Sequence, residues 1–531
     1  MTLRQSLSKL TWKHAVIGAL VFGVLLRAIH FGFGRMLWLD EAMVALNLEA
    51  RSGAEFLAPL DFSQVAPVGW LLLEDWVVSL FNNYEYASRL PAFFAGVLSL
   101  FLFYKIAVKE FSPPVAFVAV FVFSTSFMLA YFSAELKPYA FDVLLWAICA
   151  LIALRSIGLE RLGVRELALL SATFLIGSAT TFAAPMVVGG IGGVLIIRAL
   201  LHKDYRAFVV LSLAAGVAAA IYLYLSLSSY QPQIELGGLD LGGVGHYFNR
   251  LYAPFPPTSL SDIVWYPQVL NDTFGTLFGV ESAYIFILLA GAGTVILARR
   301  DAKMAALMLG PVIVALALSA LKIYPIMPRL ALYLIPIAIL LAGYALEMLF
   351  AKTPSLIKLG VFGVLLLMCI GSVGLFRYES FFAPANSSKD LSAEMATLSK
   401  SVQPDDVIAV RHWSLPAFLM YRHKFQLENQ DWTIMEEGPC MFSSVLDAGK
   451  VRGVWLLKGR FDARGLTGLV DGQTIWRDGE ARYVSIERPE KRLEYFQSTA
   501  PTPDLHTPIA CDRNADVDDY LFGGRQIYAP R

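Results

Sequence analysis

A polytopic α-helical membrane protein with a small α/β domain at its C-terminal end is the fold class that the sequence predicts, on three observations. The chain of 531 residues is 56% hydrophobic and only 16% charged, where globular domains carry roughly 25% charged residues, and its mean hydropathy is +0.57. Apolar runs of about 20 residues, the length that crosses a bilayer, recur from residue 15 to residue 376. Beyond about 377 the chain turns polar for about 155 residues, enough for a domain of its own.

The candidate spans lie near 15–33, 87–108, 114–132, 138–157, 166–179, 183–198, 207–226, 281–298, 303–321, 330–350 and 356–376, about eleven helices in all. The first lacks a small-residue cleavage site and reads as a retained helix rather than a signal peptide. Basic residues fall on alternate loops: Arg4, Lys9 and Lys13; Lys105 and Lys109; Arg155, Arg161 and Arg165; Arg198, Lys203 and Arg206; Arg299, Arg300 and Lys303; Lys352 and Lys358. By the positive-inside rule these loops are cytoplasmic. The N-terminus is then cytoplasmic in an inner membrane, and the polar C-terminal part is periplasmic or otherwise extracytoplasmic. The formal net charge is zero, so bulk charge points to no nucleic-acid partner.

The expected division is 1–376 for the membrane part and 377–531 for the soluble part. Two outer loops of the membrane part stand out, 34–86 and 227–280. In the first, Gln64 to Trp76 is too short and too acidic to span, and reads as an interfacial helix with tryptophan at headgroup level. The second is rich in Gly, Pro and Tyr, with Pro254-Phe255-Pro256-Pro257, and reads as an ordered loop over a cavity. In the soluble part, Asp405 to Val410 and Val451 to Leu457 read as strands and Ser414 to Tyr421 as a helix, hence α/β. Cys149 and Cys369 fall in apolar spans as small core residues. Cys440 and Cys511 are free to pair if their compartment is oxidising.

Chemistry-bearing residues gather at the outer boundary. Asp40 and Glu41 follow the first span, Glu135 and Lys137 (with Tyr139) sit between the third and fourth, and Arg329 precedes a late span. Arg27 lies inside the first span. Ionisable groups at membrane depth are costly and tend to be functional. One chemistry needs such a set: a base takes the proton of an attacking hydroxyl, while cations hold a departing phosphate. The plain alternatives are solvated interface acids and snorkelling cations. No Cys/His cluster reads as a zinc site; a divalent metal is compatible with the sequence but not required by it.

Six segments carry a resemblance. They are Trp38-Leu39-Asp40-Glu41-Ala42, Gln64-Val65-Ala66-Pro67, Asn83 to Pro91, Ser133-Ala134-Glu135-Leu136-Lys137-Pro138-Tyr139, Pro254 to Leu260, and Arg329 to Pro336. Together they resemble the GT-C superfamily of polyprenyl-phosphate-sugar-dependent glycosyltransferases, in its family 39-like branch with the protein O-mannosyltransferases and the lipid A aminoarabinose transferase. The resemblance implies Asp40 as catalytic base or as the residue that orients the acceptor, Glu135 as second acidic site and Arg329 as a contact to lipid phosphate. Lys137 is added here as a phosphate partner on its chemistry, with Glu41, Arg27 and Tyr139 as supporting residues. Where relatives carry Lys-Pro-Pro or His-Pro-Pro this chain has Val65-Ala66-Pro67, so the basic residue is absent at that point.

The expected function is transfer of a hexose or pentose from a polyprenyl-phosphate donor to a hydroxyl of a lipid, glycan or protein, with inversion. The rival from another class is a transporter or flippase without transfer chemistry, which internal repeats and broken helices near the midplane mark. No repeat is visible here. A third reading is a membrane-anchored scaffold that works through its C-terminal part.

Overall fold

The computed structural model describes residues 12–62, 64–81, 83–230, 232, 251–278, 283–352, 363, 391–411, 414–435, 453–457, 474–477, 480–490 and 493–498. The chain divides into two compact units, Met1–Phe33 with Ser52–Phe382 and Gly34–Arg51 with Ala383–Arg531. The expected boundary near 376 cuts the chain once; grouping by contact also sends residues 34–51 to the C-terminal part.

The first unit is helical. Among the described residues, seven helices are long and apolar enough to span: Trp12–Gly32, Tyr84–Glu110, Tyr139–Ser156, Ala184–Leu201, Tyr205–Tyr230, Ala302–Ala320 and Leu334–Ala351. An eighth candidate is the pair Pro113–Thr125 and Phe127–Ala134, bent by 59°. Two expected spans are helices of 17 residues, Val164–Thr180 and Tyr284–Arg300. At 1.5 Å per residue they are about 25 Å long, a little short of a hydrocarbon core of about 30 Å. The span expected at 356–376, and with it Cys369, lies outside the described residues, as do Cys440 and Cys511. Among the described residues seven helices, or eight with the bent pair, reach the length of a span, and the two 17-residue helices occupy the places of two more of the eleven expected.

Burial separates inner helices from outer ones. In Tyr139–Ser156 and Leu334–Ala351, 67% of the apolar window is buried, against 22% in Tyr205–Tyr230. Without a hydrophobic drive between helices in lipid, close association rests on small residues. Gly293 shows it: a Cβ there would collide with the Leu341 carbonyl of the neighbouring helix.

The bend has an identifiable support. The helix Pro113–Thr125 ends at Ser126, whose backbone leaves the helical region. Arg27 is fully buried and donates from Nη1 to the Gly23 and Ser124 carbonyls at 3.0 and 3.2 Å. A cation at a helix C-terminus is favourable, and freed carbonyls at membrane depth must be satisfied within the protein. Arg27 thus caps the broken span. The far end of the inner helix Tyr139–Ser156 is held in the same way, by Lys109 on the Leu154 carbonyl and Arg198 on the Ile157 carbonyl. These cations, expected as topology markers, are also helix caps.

The outer loop 227–280 contains a helix, Leu260–Phe278, despite its internal Pro267. Asp262 accepts from the Thr258 and Ser259 backbone amides at 2.8 and 2.9 Å and so fixes the helix start. Tyr266 donates to the Pro254 carbonyl at 2.7 Å. The helix packs against Phe127–Tyr131 and the turn Pro328–Ala331.

The second unit carries a six-stranded sheet. Its strands are β1 (Asp406–Arg411), β2 (Trp432–Met435), β3 (Gly453–Leu457), β4 (Thr474–Arg477), β5 (Glu480–Glu490) and β6 (Leu493–Ser498), in the order β2-β1-β3-β6-β5-β4. β1 pairs in parallel with β2 and β3, and the other pairings are antiparallel. The helix Leu415–Tyr421 lies between β1 and β2 in sequence, as a parallel neighbour requires a crossover. Ile408, Ala409 and Val410 are all fully buried, the continuous apolar run of a strand covered on both faces.

Candidate functional site

In the first unit the site is built on the turn between the bent span and the helix Tyr139–Ser156. Residues 131 to 140 are all buried. Phe132–Ala134 forms a single 3₁₀ turn, Ser133 donates to the Ala130 carbonyl at 2.6 Å, and the Lys137 amide donates to the Glu135 carbonyl at 2.8 Å. Pro138, at the N-cap, releases the chain into the next helix. Gly96 lets the turn sit this deep, because a Cβ there would collide with Ser133.

Glu135 is completely buried and Lys137 is 7% exposed. Lys137 Nζ donates to Gln64 Oε1 at 3.0 Å, across 73 positions of sequence. Gln64 opens the segment Gln64-Val65-Ala66-Pro67, and Lys137 brings an ammonium group there from another part of the chain. Next to it, Val68–Ser79 is a 12-residue helix with Trp70 and Glu74 fully buried. Burial pushes the Glu74 carboxyl well above its usual range, with the Trp70 indole pulling the other way.

Arg329 lies on a 3₁₀ turn, Pro328–Ala331, and is partly exposed. That turn is tied down by Tyr324, whose hydroxyl donates to the Leu330 carbonyl at 3.1 Å. The Ile326 amide donates to the Leu251 carbonyl at 2.9 Å, and the Ala253 amide to the Ser319 hydroxyl at 2.9 Å. Burial holds the Tyr324 phenol well above its ordinary value, and Asp142, Tyr333, Tyr222 and Tyr139 add to the effect.

Sequence reasoning passed over Asp142. It sits in the first turn of Tyr139–Ser156, fully buried. Oδ1 accepts from the Ala183 amide at 3.1 Å, and Oδ2 has no partner among the described residues. A lone acid in an apolar helix is itself the signal.

In the second unit, Asp40 and Glu41 open the helix Leu39–Ala50. Their exposures differ: Glu41 is fully buried and Asp40 only partly. Arg35 Nη1 meets Glu41 Oε2 at 2.8 Å, and the Trp38 amide reaches the same oxygen at 3.4 Å. The Leu37 amide donates to the Tyr421 hydroxyl at 2.8 Å, which fixes the segment on the helix Leu415–Tyr421. Among the described residues no group of three or more His, Cys, Asp or Glu is arranged to hold a metal. His246 and Tyr247 of the glycine-rich loop lie outside those residues.

Residues 65–230 match the family described as dolichyl-phosphate-mannose-protein mannosyltransferase. The matched segment holds Glu135, Lys137, Tyr139 and Asp142; Asp40 precedes it and Arg329 follows it. It agrees with the resemblance to GT-C glycosyltransferases read from the sequence. No curated protein sequence matches the chain. Solved structures that are similar include ArnT from Cupriavidus metallidurans in the apo state, at 13% identity and a TM-score of 0.49, covering 91% of this chain and 98% of that one. The same protein bound to undecaprenyl phosphate gives 14% identity and a TM-score of 0.46 over 93% and 98%. The oligosaccharyltransferase AglB from Archaeoglobus fulgidus, with an inhibitory peptide and a dolichol-phosphate, gives 13% and 0.44 over 84% and 69%.

Proposed function

We propose that the chain is a membrane glycosyltransferase that moves a sugar from a polyprenyl-phosphate donor to an acceptor hydroxyl on the extracytoplasmic face. The family match supports sugar transfer from a lipid phosphate in general. The observation that carries the reading to particular residues is the buried turn within that match, where Lys137 is held at Gln64 beside Glu135.

In this reading Asp40 accepts the proton of the acceptor hydroxyl as its oxygen attacks the anomeric carbon. The bond from that carbon to the phosphate oxygen breaks, and the polyprenyl phosphate leaves with the electron pair. Lys137 and Arg329 stabilise the charge that develops there. Attack from the face opposite the phosphate inverts the anomeric centre. Glu135 positions donor or acceptor and Tyr139 supports it, while Glu41 and Arg27 act through structure. The acceptor belongs to a lipid, a glycan or a protein, and the N-terminus lies in the cytoplasm, opposite the site.

Removing a general base lowers rates by about 10²–10⁴. Asp40→Asn is therefore expected to leave a folded, inserted protein whose transfer falls by at least that much. The assay is mass spectrometry of cell lipids, in which loss of activity accumulates one polyprenyl-phosphate sugar. A folded Asp40→Asn protein with near-normal transfer overturns the assignment of the base. Unchanged lipids in cells lacking the whole chain overturn the function.

A further inference from the structure

Beneath the turn that carries Lys137, five phenols and one carboxylate converge from separate parts of the chain. Asp142 and Tyr139 come from one helix, Tyr222 and Tyr230 from the end of another, and Tyr324 and Tyr333 from the segment around Arg329. Asp142 acts electrostatically on Tyr222, Tyr324 and Tyr333. Tyr222 and Tyr230 have ring centroids 6.2 Å apart, and Tyr230 meets Phe182 edge-on at 5.5 Å. Phe182 adjoins Ala183, whose amide holds Asp142 Oδ1.

Asp142 Oδ2 is buried without a partner among the described residues, and the buried Tyr230 hydroxyl, approached by the Val68 amide, has no acceptor there for its own proton. Leaving such a group unsatisfied costs about 1–3 kcal/mol, and native structures rarely do so without a reason. Helix capping accounts for only one carboxylate oxygen. Packing alone asks for phenylalanine, and the chain does place Phe132 and Phe182 against Tyr139 and Tyr230. The hydroxyls therefore answer to something other than volume.

A carboxylate accepts from hydroxyls, and phenols both donate and accept. Aromatic walls with a few convergent polar groups are the make-up of a small-molecule site. We propose that Asp142 with Tyr222 and Tyr230 forms a polyol subsite that grips the sugar of the lipid-linked donor, while Lys137 and Arg329 hold its phosphate. The proposal rests on the glycosyltransferase reading above. It divides donor recognition in two: Lys137 and Arg329 serve every polyprenyl phosphate, and the Asp142 nest distinguishes a sugar-bearing one from the bare lipid.

The test measures binding to the full-length protein in lipid nanodiscs. The probes are bare polyprenyl phosphate and its mannose, glucose, galactose, N-acetylglucosamine and arabinose forms. Wild type is expected to bind at least one sugar-bearing form tenfold or more tightly than the bare lipid. Asp142→Asn is expected to bring that preference to within about twofold, with affinity for the bare lipid unchanged, because an amide oxygen still accepts from Ala183 but an NH2 group replaces the second oxygen. Tyr230→Phe, which removes a single hydroxyl, is the second variant and is expected to reduce the preference severalfold. Retained preference in both variants overturns the subsite, as does equal binding of all six lipids by wild type. Failure of wild type to bind any of the six overturns instead the reading of a lipid-phosphate donor site, which Lys137→Ala tests separately by weakening all six alike.

Discussion

Glu41 and Asp142 are both fully buried carboxylates in the first turn of a helix, yet the two regions treat them differently. Around residues 35–41 the acid is closed in, with a guanidinium at 2.8 Å and a backbone amide on the same oxygen. Around residues 139–183 the acid meets backbone amides only, with the Ala183 amide on Oδ1 and no cation paired with it among the described residues. The first is the economy of a structural ion pair. The second keeps hydrogen-bonding capacity in reserve, which suits a binding site. Burial of an acid says little about its role; whether a cation meets it says more.

The largest effect that sharpens this contrast is expected at Glu41. Removing one partner of a buried ion pair leaves the other charge uncompensated and costs about 3–5 kcal/mol. Glu41→Ala should destabilise the second unit by that amount, read as a fall in midpoint for thermal unfolding of the purified protein. The double change Arg35→Met with Glu41→Leu should recover most of it, since an apolar pair of similar volume is often neutral. Asp142→Asn gives the control, with a loss of about 1 kcal/mol or less, because one ordinary hydrogen bond is at stake. Equal losses at Glu41 and Asp142 would break the contrast and make Asp142 another structural acid.

The two regions also differ in how far the sequence exposes them. Asp40 and Glu41 are visible because they interrupt the apolar chain directly after a span. The helix Tyr139–Ser156 is equally visible as a span, but Asp142 within it is one acid among apolar neighbours. Its partners are dispersed over residues 183 to 333, and periodicity holds no information about contacts at that separation. The Lys137–Gln64 bond is hidden for the same reason. The bend at Ser126 carries no proline or glycine to announce it, and Arg27, which supports it, reads in sequence as a cation near a membrane edge. Hydropathy located the helices but not where each one breaks or ends, because it reports apolar runs. The glycine, proline and tyrosine of 227–280 likewise concealed the helix Leu260–Phe278, whose start depends on a side-chain cap rather than on hydrophobic pattern.

A third buried acid extends the contrast. Glu74 is fully buried in the helix Val68–Ser79, where the Trp70 indole favours the ionised carboxylate but is outweighed by burial. Burial raises its carboxyl well above the usual range, so the folded chain holds the proton more tightly than the unfolded one. Below the unfolded value, about 4.3, both states are protonated and charge has no effect on stability. Above it the unfolded chain ionises first, so stability falls as pH rises towards the raised folded value. Glu74→Gln removes that dependence. It should be more stable than wild type at pH 7.5 relative to pH 4.5, by about 1.4 kcal/mol for each unit by which the carboxyl is raised. Thermal unfolding at the two pH values measures it, and an equal difference at both shows that Glu74 is solvated.

The smallest effect is expected at Asp262, which has the opposite sign. This carboxylate lies at the surface and accepts from the Thr258 and Ser259 amides at the start of Leu260–Phe278. The Thr258 amide is the main cause that holds its carboxyl below the ordinary value, with Ser259 contributing and burial opposing. A lowered carboxyl adds stability that is present above the unfolded value, about 3.9, and lost as pH falls through the folded one. Acid should therefore loosen this helix start in wild type, and Asp262→Asn should be loose already and nearly insensitive to pH. Hydrogen exchange of the Thr258 and Ser259 amides, corrected for intrinsic rates and compared at pH 5 and pH 3, reads the difference. Glu74 loses stability on the alkaline side and Asp262 on the acid side for one reason. What fixes the sign is whether donors to the ionised oxygen outweigh its loss of water, and the count of acids at a membrane edge does not reveal that.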